Sequence, residues 1–314
     1  MVQRLLWLWI ALAFSVLLCS CGVGNGLAGN VGNGSGGGSA TIPLVQHVAI
    51  LLLENADYSE VIGSSNMLYL NSLASQGAVV AKYYANSHPS IPNYFILTTG
   101  QPITNDDAYG GVVSTDNVVR ELTTSGKTWK IYAESIPSQG YLGGDAFPYL
   151  RHHDPFSYFS DVQQDSTKAA NINAFSQLAA DLSASNLPNY IFIAPNARND
   201  GHSCPAGVED CPRAQRLQIA DQWLQSNLAP LLSDPTFKQS GLLVIVFDES
   251  ADDITNGGGH VAAILVGTHV RSGYVGNTTD YDHRSLLSLT MKVLGVPNIP
   301  NGADAAPQMT EFFH

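Results

Sequence analysis

"QHVAILLLEN", residues 46–55, decides the fold. Every position from Val48 to Leu53 is apolar, and the run ends abruptly in Glu54-Asn55. A half-buried strand would alternate. An unbroken run suits a strand covered on both faces, as in a mostly parallel sheet. Further runs read as strands: "AVVAKYYA" (78–85), "TWKIYAE" (128–134), "NYIFIAPN" (189–196), "GLLVIVFDE" (241–249) and "HVAAILVG" (260–267). Helical patterns lie between them: "NMLYLNSLASQG" ending at Gly77, "NVVRELTTSG", "INAFSQLAADLSAS", the long "RAQRLQIADQWLQSNLAPLL", and "HRSLLSLTMKVLG" ending at Gly295. Alternation of this kind implies an α/β helix–sheet–helix sandwich with a mostly parallel central sheet. Ligands of such sheets gather beyond the carboxyl ends of the strands, so chemistry is expected just after the apolar runs.

Polar residues do cluster there. The first run ends in Glu54-Asn55 and the run at 241 in Asp248-Glu249. The run at 189 is followed by "ARNDGH", with Asp200 and His202, and "NGGGH" places His260 before the last run. Singly, a strand-end carboxylate is an ordinary turn residue and a lone His is ordinarily structural. Together, oxygen and imidazole donors at one sheet edge are what a catalytic divalent metal needs.

"NSHPSIPNYFILTTG", residues 86–100, carries the second signal. Pro92 suits only the first turn of a helix, so a helix is expected to begin at Ile91 or Pro92. Ser90 then stands at its mouth, where free N–H groups and the positive dipole end suit an anion such as phosphate. Ser is also a preferred N-cap, and capping alone is the competing reading.

The chain ends differ in kind from this domain. Residues 1–20 hold Arg4 and an apolar run from Leu5 to Leu18, a signal-peptide pattern too short for a confident membrane span. Leu18-Cys19-Ser20-Cys21 resembles a bacterial lipobox, which implies cleavage after Ser20 and lipidation of Cys21; ordinary secretion is the alternative. Residues 21–41 are Gly/Asn/Ser-rich and read as a flexible tether. Residues 42–314 are one domain. Net charge is −12 with only 14 Lys and Arg, and no basic cluster exists, which argues against nucleic acid as a partner. Cys204 and Cys211 share a short Pro/Gly loop; in an exported protein they are expected to form a disulfide, a zinc pair being the alternative.

The motifs "HVAILLLENADYSEVIG", "NSHPSIPNYFILTTG", "TWKIYAESIP", "YLRHHDPFSYF", "IFIAPNARNDGH", "VIVFDES", "GGGHVAAILVG" and "YDHRSLLSLTMKVLG" occur in one order. In that order the chain resembles the bacterial phosphoesterase family of acid phosphatases and phospholipases C, in the alkaline-phosphatase-like superfamily. The resemblance implies metal ligation by Glu54, Asn55, Asp248 and Glu249. It places the hydroxyl nucleophile at Ser90 and its companion amide at Asn93. The family's "HNPF" reads His153-Asp154-Pro155-Phe156 here, and Asp252-Asp253 is an added acidic pair. The phospholipases' C-terminal extension has no counterpart before His314.

The expected chemistry follows. A serine hydroxyl needs an activator. A metal on the Glu54-Asn55 and Asp248-Glu249 pairs, also touching Ser90, would favour the alkoxide, and a phosphoserine would form. His202 and His260 are candidates to bind phosphate, protonate the leaving oxygen or hold a second metal, with Asp200 orienting His202 or joining that metal. His153 is a candidate substrate contact. His88 is another, against a purely structural role. The donor set admits Mg, Ca, Mn, Fe or Zn. The expected function is hydrolysis of small phosphate monoesters by an exported enzyme, lipid-anchored to the bacterial cell envelope and touching the membrane only through that anchor. The alternatives are a phospholipase C-type phosphodiesterase, which would need a wide apolar rim, and a non-catalytic surface lipoprotein.

Overall fold

The computed structural model describes residues 41–314. The signal peptide, Cys21 and all but the last residue of the tether lie outside the described residues. Among the described residues ten strands occur: β1 (His47–Leu53), β2 (Ala78–Val80), β3 (Tyr83–Tyr84), β4 (Trp129–Ala133), β5 (Ile172–Ala174), β6 (Tyr190–Ala194), β7 (Gly241–Phe247), β8 (Ala263–Gly267), β9 (Tyr274–Gly276) and β10 (Tyr281–Asp282). Eight of them form one sheet in the order β5-β4-β6-β1-β7-β8-β2-β9, and β3 and β10 pair separately. All pairings in the large sheet are parallel except those of β8, which runs against both β7 and β2.

The sheet is mostly parallel and covered by helices on both faces, as the apolar runs require. Every residue of β1 and of β7 is buried. The helix Leu68–Gln76 and the long helix Arg213–Ser233 pack together, and the helix Ser90–Thr99 packs on His283–Val293.

Two expectations about elements need correction. "AVVAKYYA" is not one strand but β2 and β3, separated at Ala81-Lys82, because Ala81 N donates to Gly276 O while Tyr83 turns to pair with β10. "INAFSQLAADLSAS" is not one helix. Ile172–Ala174 adds as β5 to the edge of β4, and only Gln177–Ser183 is helical.

Register places the functional residues. Leu53 of β1 lies opposite Phe247 of β7, so Glu54-Asn55 and Asp248-Glu249 leave the sheet side by side. On the other flank Leu51 of β1 lies opposite Ile193 of β6, whose outgoing loop returns to the same edge: Glu54 N donates to Asp200 O at 2.8 Å.

Candidate active site

Ser90 lies where these elements meet. Its Oγ is 3.0 Å from Glu54 Oε2 and 3.0 Å from Glu249 Oε1. A hydroxyl has one proton and can donate to only one of the two. The second close oxygen pair therefore needs either a proton on a carboxyl or a cation between the donors.

The surrounding donors make the same demand. Asn55 Oδ1 and Asp248 Oδ2 are buried without a hydrogen-bond partner, while Glu249 Oε2, Asp200 Oδ2 and His153 Nε2 have only ion-pair contacts with His88, His153 and Glu54. Buried polar atoms are ordinarily paired, and two unpaired oxygens beside this cluster of carboxyls are an exception that a bound ion would explain. Among the described residues no group of three or more acidic, imidazole or thiol side chains stands in a geometry ready to hold a metal ion. Amide and hydroxyl oxygens from Asn55 and Ser90 would complete the set. Asn55 is held in the left-handed region (φ 42°) with its N–H 3.3 Å from Asp248 Oδ1, which binds the two pairs to each other.

Electrostatics follow from burial. Glu54, Asp200, Asp248 and Glu249 are each at most 4% exposed. Burial, and then mutual repulsion, lifts Glu54 and Asp248 well above the carboxylate range. Burial pushes Asp200 and Glu249 up to about 7. Desolvation also depresses His153 to about 3 and His152 to about 4, so both rings are neutral. A neutral imidazole is the form that ligates metal or accepts a proton.

The imidazoles differ in their placement. His153 bridges the acids, with Nε2 3.1 Å from Glu54 Oε1 and Nδ1 3.3 Å from Asp200 Oδ2. At 3% exposure it lies beneath the site, not at its mouth as a substrate contact would. His88 Nδ1 lies 2.5 Å from Glu249 Oε2, so this ring does reach the site, while Nε2 contacts Asp253 O at 3.1 Å. His202 is held by Asp200, whose Oδ1 accepts its N–H at 2.8 Å. Its Nδ1 contacts Ser203 Oγ at 3.1 Å, and its ring centre is 6.5 Å from that of His153.

Three expectations fail on geometry. His260 is engaged elsewhere: its ring stacks on Tyr58 at 4.3 Å, and Nε2 contacts Ala81 O at 2.8 Å. Asn93 does not face the site. It is wholly buried; its Oδ1 accepts from Asn86 N and Ser87 N, and its Nδ2 donates to Ser87 O and Pro89 O. It braces the turn that presents Ser90. The helix mouth is no open anion nest either. The helix starts at Ser90 itself, with Pro89 as its N-cap. Pro89 and Pro92 have no N–H, and Asp107 Oδ1 accepts from Ile91 N at 3.1 Å. The short loop does close: Cys204 and Cys211 form a disulfide.

Sequence reasoning missed Tyr94, Asp107 and His283. Tyr94 OH donates to Glu54 Oε1 at 2.5 Å, and its ring stacks on His153 with centres 5.1 Å apart. Its spacing of four residues from Ser90 puts both on one helix face, a signal that was present. His283 Nε2 contacts Asp248 O at 2.6 Å and Nδ1 contacts Tyr83 OH at 2.9 Å, fixing the end of β7. Burial lowers it to about 4. Nothing local marks Asp107 or His283.

The chain resembles known proteins in sequence and in fold. A "Probable acid phosphatase" of Kluyveromyces lactis is 34% identical over 251 residues, covering 76% of this chain and 56% of that one. A "Phosphatidylinositol-3-phosphatase" of Mycobacterium tuberculosis is 28% identical over 271 residues, covering 86% and 83%. The chain thus spans a little over half the length of the yeast relative. Among solved structures, a protein of the alkaline phosphatase superfamily from Vibrio parahaemolyticus superposes with a TM-score of 0.58 at 13% identity, over 82% of this chain and 68% of that one. The lipoteichoic acid synthase LtaP of Listeria monocytogenes gives 0.55 at 14% identity, over 84% and 74%. These likenesses establish the alkaline-phosphatase-like fold. The sequence pattern of the Phosphoesterase family spans residues 64–297, and the chain belongs to that family.

Proposed function

We propose that the protein hydrolyses phosphate monoesters through a phosphoserine on Ser90 and depends on a divalent cation. The observation that carries this reading is Ser90 Oγ set 3.0 Å from each of two buried carboxylates. Glu54, Asn55, Asp248 and Glu249 would hold the cation, with Asp200 and His153 beside them. When bound, the cation supplies positive charge that lowers the hydroxyl's pKa and offsets charge on the phosphoryl oxygens.

Ser90 Oγ attacks phosphorus and passes its proton to Glu54 Oε2 or Glu249 Oε1. The bond from phosphorus to the leaving oxygen breaks, and protonated His202 donates to that oxygen, so the alcohol departs neutral. Water then attacks the phosphoserine and gives a proton to His202. Ser90 recovers its own proton from the carboxyl as phosphate leaves. Asp200 keeps His202 in place, and Tyr94 and His153 keep Glu54 in place.

The family and the phosphatase names of its relatives support a phosphoric-ester hydrolase with a small phosphorylated substrate. The Mycobacterium tuberculosis relative, matched over 83% of its length, favours a second reading: a lipid headgroup monoester. The diesterase alternative called for a wide apolar rim, whereas the cleft beside His202 is chiefly polar. Export and a lipid anchor at Cys21 remain part of the proposal. Among the described residues no helix is long and apolar enough to cross a membrane.

The deciding experiment compares kcat/KM for a soluble monoester, a soluble diester, a phosphoinositide monoester and short-chain phosphatidylcholine, with and without chelator. The soluble monoester should lead and chelator should abolish turnover. A diester faster by more than about tenfold, or full activity in chelator, overturns the reading.

A further inference from the structure

His202 also lines a cleft to which the chemistry above assigns no ligand. It holds about 440 Å³ and is lined by Phe147, Arg198, His202, Val208 and the Cys204–Cys211 loop. Phe147 is 57% exposed and Val208 41%, and Phe147 is the only aromatic residue among the exposed large hydrophobics of the described residues. A solvent-facing Phe ring loses hydrophobic stabilisation unless something covers it. Here two exposed apolar side chains stand in an otherwise chiefly polar cleft. The guanidinium carbon of Arg198 lies 5.0 Å from the centre of the Phe147 ring. Arg216 Nη1 donates to His202 O at 2.6 Å, so the cleft floor is joined to the candidate acid.

A chain of contacts links the cleft to Ser90. His202 and His153 have ring centres 6.5 Å apart, His153 Nε2 is 3.1 Å from Glu54 Oε1, and Glu54 Oε2 is 3.0 Å from Ser90 Oγ. In an in-line displacement the leaving oxygen lies opposite the attacking one. If His202 protonates that oxygen, whatever the oxygen carries enters the space that His202 lines.

We propose that this cleft is the leaving-group subsite and takes an uncharged planar aromatic ring, stacked on Phe147 beside Arg198. Resting on the monoesterase reading, the inference adds a substrate class to it. Rings stack on exposed aromatic faces, and a guanidinium alongside adds cation–π attraction. Glu209 and Asp210 offset Arg198 and Arg216 in the same lining, so the cleft has no net positive charge to draw a further anionic group. An aryl group and a nucleoside share the required chemistry.

The test uses phenyl phosphate, adenosine 5′-monophosphate and glycerol 2-phosphate, with the same metal, on wild type and Phe147→Ala. Intrinsic leaving-group reactivity cancels in each mutant-to-wild-type ratio. The expected result is a drop of about tenfold in the ratio of ring to glycerol substrates. A drop for one ring substrate alone supports the subsite and identifies its source as aryl or nucleoside. Equal losses on all three, or no loss on either ring substrate, overturn it. Phe147→Leu keeps apolar bulk without the ring face; full retention of ring preference there overturns stacking. Should wild type hydrolyse no monoester, the monoesterase reading fails by itself. Calorimetric titration of the Ser90→Ala protein with phenyl phosphate and adenosine 5′-monophosphate then decides. Saturable binding weakened about tenfold by Phe147→Ala supports the subsite, and absence of saturable binding overturns it.

Discussion

Removing the cation should deepen the loss of stability as pH rises. In the folded chain Asp200 is pushed up to about 7 from an ordinary 3.8, and Glu249 to about 7 from 4.5. Burial is the first cause of both shifts. A carboxyl whose folded pKa exceeds its unfolded one contributes stability that is fully present below the unfolded value. That contribution is lost as pH rises through the folded value, here between roughly pH 4 and 7. At about 1.4 kcal/mol per pH unit, ionising either group in an empty site costs on the order of 3.5–4.5 kcal/mol. Coupling makes the pair cost less than double. With a divalent cation bound, the same carboxylates are stabilised as anions, and the penalty disappears. Thermal unfolding of chelated and metal-loaded protein at about pH 5 and about pH 8 tests this. The chelated protein should lose about 5–10 °C more in Tm over that interval than the loaded protein. Identical pH dependence with and without chelator would refute the cation site, because groups elsewhere contribute equally to both curves.

Ser90→Ala should abolish turnover while Tm in the presence of metal moves by no more than a few degrees, as calorimetry beside a phosphatase assay will show. Tyr94→Phe removes the hydroxyl that donates to Glu54 and should cost about 1.5–3 kcal/mol, together with a fall in kcat. Normal stability and kcat in that variant would mean that Glu54 needs no such partner. Burial also pushes Asp154 up to about 7, so its contribution to stability is lost as pH rises through neutrality. Asp154→Asn should therefore narrow the Tm difference between about pH 5 and about pH 8, and an unchanged gap would count against a buried ionising carboxyl. The Cys204–Cys211 disulfide should leave no thiol in that pair to alkylate until the protein is reduced, which intact-mass measurement resolves.

What the sequence revealed was whatever is local to one run. β1 and β7 were legible because burial on both faces leaves an unbroken apolar string, and the acidic pairs because they end those strings. Strand direction is not encoded in such a string, so the antiparallel course of β8 was invisible. The short strands β5, β9 and β10 owe their pairing to neighbours, and Ile172–Ala174 borders a helical pattern that absorbed it. Asp107 and His283 reach the site only through the tertiary fold.

His260 shows why a correct signal can carry a wrong inference. The run Gly257-Gly258-Gly259 before it does mark a special backbone, but the need arises from packing rather than from a metal. A Cβ at Gly257 (φ 106°) would lie 2.3 Å from Asn86 O, and one at Gly258 2.6 Å from Ser87 O. The loop also exchanges backbone hydrogen bonds with Ala85: Ala85 N donates to Gly259 O, and Gly258 N to Ala85 O. Only glycine lets the chain come this close to the 86–87 turn. Asn93 braces the same turn from the helix side. The loop that follows Asp248-Glu249 therefore clamps the segment leading into Ser90, and His260 anchors that loop through Tyr58 and Ala81. A residue taken for a ligand belongs to the scaffold that holds the nucleophile against the carboxylates.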